Sequence, residues 1–487
     1  MSCIIMGGVN TLKREYSLYY LIYEYYVSRI LFGYYKKGQT LPSIEIICKQ
    51  FRVAPQTART ALSRMQNDGY ISIRVKRTSV VIFEQDEEAK KQYSINYFSA
   101  IKETVIDLYK STKLLFYPLL VEGCTYLDEN NLKDLLDIAN NIDVHNQQRL
   151  ISYHLIILQA LENPLVLNLF WDTIKFLRFP YLRIENDVVV YNQQMITETF
   201  NKIINDIESS DYKSVILGFD IFQEKMVTNI LNHIYSTIDI VEKIDKIPFE
   251  WYIYRTRPQL CQSIVVDLIF KIANGIYPYG NFLPSFASLA EEYKVSVSTI
   301  RRSISLLNNI GITKTLNGKG TQVIDTYKES TKPDLSKPAI KKNLIMFFHS
   351  LSFITVTCEN VAKTTLKFLS EDELYLFEQK LAVQLENKSY FLSLGTCISF
   401  IGKMNPFEYI KEVYSKLYVL LLWGYSLKVY RMEMHMSHEI FATFVQDILK
   451  ALKMKDIDLF AKTLKDTLND EIIIVKEIFS QHNIYIE

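Results

Sequence analysis

The sequence predicts a mainly α-helical protein built as a tandem duplication, and three observations carry that prediction. Only 15 Gly and 12 Pro occur in 487 residues, too few breakers for a repetitive β architecture. Two long stretches of helical-period sequence, about 87–250 and 341–487, each follow a shorter segment that closes in a β-branched run, VVIF at 80–83 and QVI at 322–324. Landmarks recur at a constant spacing: Pro42 and Pro284, Gly69 and Gly311, Asn163 and Asn405, and Pro164 and Pro406 all lie 242 residues apart. Farther on, SSDYKSV (209–215) matches MKDIDLF (454–460) at an offset of 245, a three-residue insertion.

A chain of this length exceeds one hydrophobic core, and its 48% hydrophobic and 22% charged residues are ordinary for globular domains. The order is short–long–short–long, with expected boundaries at 12–84, 87–250, 257–325 and 341–487. The polar, two-proline stretch DTYKESTKPDLSKP (325–338) marks the main linker. The 33 Tyr are expected to pack at helix seams.

The net charge of +1 conceals two basic islands. Arg29 to Arg77 carries +8 and Leu268 to Ile324 carries +4, leaving −11 on the remainder. Compact basic islands in an otherwise acidic chain suit local contact with phosphate. The six cysteines are scattered without a CxxC pair, which reads as reduced thiols and not as a disulfide frame or zinc site. The longest apolar run, Leu417 to Tyr425, is far short of a bilayer span, and the N-terminus lacks a signal-peptide pattern. These features point to a cytoplasmic protein without a membrane partner.

The second short segment is the clearer one. VVDLIFKIANGIYPYGNFLPS (265–285) begins as an amphipathic helix and reaches Ser285, placed to cap the helix FASLAEEYK. Ser296 caps the next helix, with Ile300, Ile304 and Leu307 facing inward and Gly311 at its C-terminal end. ITKTLNGKGTQVI then forms a hairpin tipped by Asn317-Gly318-Lys319-Gly320. Helix, helix, helix, ribbon is a winged helix-turn-helix, whose third helix enters the major groove of DNA while the wing lies on the backbone or minor groove. Small polar and cationic residues at the start of that helix suit base edges and phosphates. The candidates are Ser285, Ser296, Ser298, Thr299, Arg301, Arg302 and Lys319, and in the first segment Ser43, Gln56, Thr57, Arg59, Lys76 and Arg77.

LPSFASLAEEYKVSVSTIRRSISLLNNIGI followed by NGKGTQVI resembles the DNA-binding domain of the GntR family without a gap from Leu283 to Val323. LPSIEIICKQFRVAPQTARTALSRMQNDGYI, Leu41 to Ile71, is similar in equal register. The two heads cover about a quarter of the chain. Where the family has Arg after the LPS motif this chain has Glu45 and Ala287, and at the recognition-helix start it has Pro55 and Val297. The later Arg is kept as Arg59 and Arg301, and the Gly-x-Gly wing is kept only at Gly318–Gly320, the first copy having Lys76-Arg77-Thr78.

The long segments resemble the all-helical FCD domain of the FadR-like branch, which implies a metal held by one Asp and three His. Only His154 is retained; the other positions are Leu150, Phe200 and Phe222, and in the second copy Thr396, Val445 and Thr467. One imidazole cannot hold a metal against water, so His154 is expected to be a pocket histidine, a candidate effector contact, with no metal and no cofactor. His435 and His438 have no third partner nearby in sequence. No nucleophile elbow, P-loop, dinucleotide loop or paired catalytic carboxylates occur, so no catalytic residues and no enzyme activity are expected.

The resemblance therefore implies a DNA-binding transcriptional regulator in which one chain acts as a monomeric pseudo-dimer on double-stranded DNA, on two unlike half-sites, under a small-molecule effector. The alternative is a non-sensing architectural or partner-binding protein with vestigial effector domains.

Overall fold

The computed structural model describes residues 18–31, 33–51, 53–73, 78–84, 86–142, 146–177, 193–237, 244–253, 260–273, 275–324, 334–387, 390–433 and 438–486. The expected head starts at 12–17 and 257–259, linker residues 325–333, wing residues Lys76 and Arg77, and Cys3 and His435 lie outside these.

The chain is mainly α-helical. The first head consists of α1 (Leu18–Leu31), α2 (Ile44–Phe51), α3 (Pro55–Asn67) and a ribbon of β1 (Ile71–Ser72) antiparallel to β2 (Val80–Val81). A helical segment follows: α4 (Glu87–Cys124), α5 (Glu129–Asn140), α6 (Asn146–Gln159), α7 (Pro164–Leu177), α8 (Gln193–Glu208) and α9 (Tyr212–Thr237). The second head repeats the first as α10 (Leu260–Ala273), α11 (Phe286–Glu292), α12 (Val297–Asn309), β3 (Thr313–Leu316) and β4 (Gly320–Val323). The second helical segment runs through α13 (Pro338–Phe368), α14 (Glu371–Glu386), α15 (Ser393–Lys403), α16 (Glu408–Leu421), a 3-10 turn (Leu422–Leu427), α17 (Lys428–Glu433), α18 (His438–Lys453) and α19 (Ile457–Gln481).

Local chemistry explains why the two halves keep register. Asn163 caps α7 and Asn405 holds the turn that leads into α16, their side-chain oxygens accepting the N–H of Leu165 (3.0 Å) and Phe407 (3.1 Å). Gly69 follows α3 with φ +82°, and nothing would touch a Cβ added there, so the left-handed backbone and not space demands glycine.

The two helical segments share one core. α4 packs along its own counterpart α13, and the flanking contacts are reciprocal: α4 meets α16 of the other half, and α13 meets α7. At one end the Asp107 carboxylate on α4 accepts the N–H groups of Glu408 and Tyr409 (both 2.9 Å), satisfying the exposed start of α16. At the related place, His349 stands 242 residues beyond Asp107, and its carbonyl accepts the Asn163 side-chain amide (2.8 Å). The hydroxyls of Thr173 and Tyr409 meet between α7 and α16 at 2.7 Å. Residues 244–253 cross this seam as a strap. The Trp251 indole donates to Asn168 (3.0 Å), its backbone N–H to Glu412 (3.0 Å), and Phe249 packs on both Phe176 and Tyr409.

Within α13, Ile340–Phe368 is long and apolar enough to cross a membrane by composition, yet 67% of its most apolar window is buried in the fold. Its polar groups are answered by neighbouring helices: Ser350 donates to the Leu417 carbonyl and Thr365 to that of Ile401 (both 2.8 Å). The tyrosines serve the same seams. Tyr153, Tyr409 and Tyr414 are fully buried, each with its hydroxyl partnered.

Asp107→Ala is expected to lower stability by about 0.5–2 kcal/mol through loss of the cap on α16. Chemical denaturation checks this, with Asp107→Asn losing less; an unchanged midpoint in Asp107→Ala would mean that water replaces the carboxylate at no cost.

Candidate nucleic-acid interface

Each recognition helix buries one stripe and exposes another. In α3, Ala58, Ala61, Leu62 and Met65 are buried, and Gln56, Arg59, Thr60 and Ser63 face solvent, with Thr57 half-buried. In α12, Ile300, Ser303, Ile304 and Leu307 are buried, while Ser298, Arg301, Arg302 and Ser305 are exposed and Thr299 is half-buried. The two faces agree at Arg59 and Arg301 and at Ser63 and Ser305. They differ where Gln56 faces Ser298 and Thr60 faces Arg302. Thr60, Ser63 and Ser305 are additions to the residues singled out in the sequence, and the 3.6-residue period from Gln56 and Ser298 is the signal that leads to them.

The helix starts also differ. Ser296 accepts the Thr299 N–H (3.2 Å), and its hydroxyl meets those of Ser298 (2.8 Å) and Thr299 (2.9 Å), joining three of the candidate residues in one network. In α3, Ala54 offers no side-chain cap and Pro55 at the first position has no N–H to satisfy. Ser43 and Ser285 accept the N–H groups of Ile46 (3.3 Å) and Ser288 (3.1 Å), so both act as caps. Arg64 is drawn away from the outer face: it lies over the rings of Tyr20 (5.2 Å) and Tyr23 (5.1 Å), 3.8 Å from Asp68.

The second wing places Lys319 in the open at the tip between β3 and β4. Asn308, in the last turn of α12, anchors it by donating to Thr315 (2.9 Å) and accepting from Thr313 (2.8 Å). This ties wing and recognition helix into one surface.

Each head is seated on the helical segment that follows it. Tyr25 and Phe51 pack on Trp171 of α7 at 5.6 and 4.6 Å, and Glu24 pairs with Lys175 (3.1 Å). The second head rests Phe270 on Tyr418 (6.5 Å), and the Tyr279 and Tyr425 hydroxyls are hydrogen bonded.

His154 lines a cavity of about 200 Å³ together with Leu150, Phe170, Phe219 and Phe222. Its Nδ1 lies 2.8 Å from the Leu150 carbonyl. Phe200 does not line that cavity but stacks on Tyr153 at 3.8 Å. Desolvation holds the imidazole below its usual pKa, opposed by the hydrogen bond to Leu150. The side chain of His438 is outside the described residues.

Comparison with known proteins matches the family described as "Bacterial regulatory proteins, gntR family" to residues 18–81 and again to 260–323. A putative HTH-type transcriptional regulator RmpR from Mycobacterium gastri is 33% identical over 88 residues, 17% of this chain. The match spans 32% of that curated relative's length. Among solved structures, Streptococcus agalactiae GntR is 19% identical with a TM-score of 0.20, covering 43% of this chain and 98% of its own. E. coli McbR/YncC is 16% identical with a TM-score of 0.24, covering 45% and 98%.

Because the folded imidazole titrates below the unfolded one, the unfolded chain takes up the proton first as pH falls below 6.5. The stability contributed by neutral His154 is therefore complete above that pH and lost as pH falls toward the folded value. Melting temperatures between pH 7 and pH 5 should fall less steeply for His154→Gln than for the native chain; parallel slopes would remove His154 from the pH response.

Proposed function

Because the chain carries two winged helix-turn-helix domains of the bacterial GntR family, we propose that it is a cytoplasmic transcriptional regulator that binds double-stranded DNA with both heads, acting as a dimer within one polypeptide. The observation that supports this most is the reciprocal seam. α4 on α13, with α4–α16 answered by α13–α7, is the pattern by which two copies of one domain form a two-fold interface, here inside a single chain. Such a seam sets the separation of the recognition helices, and half-sites in successive major grooves are about 34 Å apart.

Arg59 and Arg301 read a base in their respective half-sites, and Gln56 against Ser298 and Thr60 against Arg302 make those half-sites unlike. Lys319 meets backbone phosphate from the wing, and the capping serines hold the helix starts against the duplex. A small organic effector acts in the His154 cavity. α7 carries part of its wall, Phe170 and Thr173, and also Trp171, on which the first head is seated. A change in that wall therefore reaches the head through one helix.

Selection of bound duplexes from a random pool is expected to yield an asymmetric two-part site, with affinity falling steeply as salt rises. Arg301→Ala should erase preference at one half-site and Arg59→Ala at the other, each costing about 1–3 kcal/mol on the selected duplex. Salt-independent binding would contradict the DNA assignment, and equal weakening of all sequences by both variants would reduce the two arginines to phosphate contacts.

A further inference from the structure

The second helical segment contains a cavity of about 130 Å³, walled by α13, α15, α16, the turn 422–427, α17, α18 and α19. Most of its lining is apolar, including Leu351, Ile398 and Phe441, and its charged members are Lys428, Arg431 and Glu471. The family's ligand positions in this half, Thr396, Val445 and Thr467, do not line it.

Arg431 and Glu471 are 7% and 5% exposed and paired with each other, and Arg431 also donates to the Gly424 carbonyl (2.8 Å). That leaves Nε of Arg431 and one carboxylate oxygen of Glu471 buried without a hydrogen-bond partner. A buried donor and a buried acceptor left open beside a cavity are costly unless something answers them. The first half differs at the related place. Tyr153 and Phe200, stacked at 3.8 Å there, correspond by the 242 and 245 offsets to Gly395 and Val445, and Glu471 corresponds to Met226. Gly395 lines the cavity, so the space follows from the loss of a ring in the second copy.

We propose that this cavity binds a free apolar α-amino acid. Its carboxylate meets Arg431 Nε and Lys428, its ammonium meets the open oxygen of Glu471, and its side chain lies among Leu351, Ile398 and Phe441. The volume suits a single small molecule, well below the roughly 300 Å³ at which drug-sized sites begin. Tyr418, Tyr425 and Lys428 line the cavity and also touch the second head, through Phe270 and Tyr279. An occupant therefore bears on how that head is seated; this consequence, unlike the binding itself, rests on the reading of the head as DNA-binding.

Calorimetry on the full chain without DNA tests the site independently of that reading. The probes are L-leucine, L-phenylalanine and 4-methylpentanoate, which lacks the amine. At least one amino acid should bind, one per chain, and 4-methylpentanoate at least tenfold more weakly. Gly395→Leu should abolish binding while leaving the circular dichroism intact, since a Cβ there meets only the Tyr418 ring at 3.7 Å. Glu471→Gln should weaken binding at least tenfold. Silence from both amino acids, equal binding by 4-methylpentanoate, or undiminished binding by Gly395→Leu would overturn the assignment.

Discussion

The fold depends on a constraint at its centre: two long helices, α4 and the apolar α13, lie against each other, and each must also be covered by helices of its own and of the opposite half. α13 could not stand alone in water with its most apolar window uncovered. Packing it on α19, α16 and α4 removes that surface, and the polar ties along the seam then fix register. Asp107 answers open N–H groups at the start of α16, and Asn163 ties the start of α7 to the carbonyl of His349. The same place in the repeat is thus held by different chemistry on its two sides, a side-chain carboxylate on one and a backbone carbonyl on the other.

From that seam the positions of the heads follow by rigid steps. α7 and α16 both belong to the seam, and α7 in its middle and α16 with the turn that follows it each carry an aromatic seat. Trp171 receives Tyr25 and Phe51, and Tyr418 with Tyr425 receives Phe270 and Tyr279. Ring-on-ring contact is well suited to this, since it buries large area at fixed orientation. The strap at 244–253 closes the arrangement by crossing from one half to the other with Trp251 and Phe249.

Much of this was legible in the sequence because it rests on local chemistry. The Asn163 and Asn405 turns, the glycine after each recognition helix and the Ser296 cap act within a few residues of themselves; the asparagines and glycines recur in register, whereas Ala54 stands at the place of Ser296. The inward stripe Ile300, Ile304 and Leu307 followed from helical period alone. What was not legible depends on partners far along the chain. Arg64 reads as one more cation of a basic island, yet tyrosines on α1 turn it away from the outer face. The strap reads as the end of a domain, yet it spans the seam. Gly395 reads as an ordinary helix residue until it is set against Tyr153, and only the folded core shows that the missing ring leaves a cavity with two open polar atoms.

The central claim is that one chain supplies what a pair of chains would supply elsewhere. Light scattering of the protein mixed with a duplex carrying both selected half-sites measures this directly, because it counts chains per DNA. The account predicts one chain on one duplex, with no larger complex as protein is added in excess. Two chains per duplex, each engaging a single half-site, would contradict it.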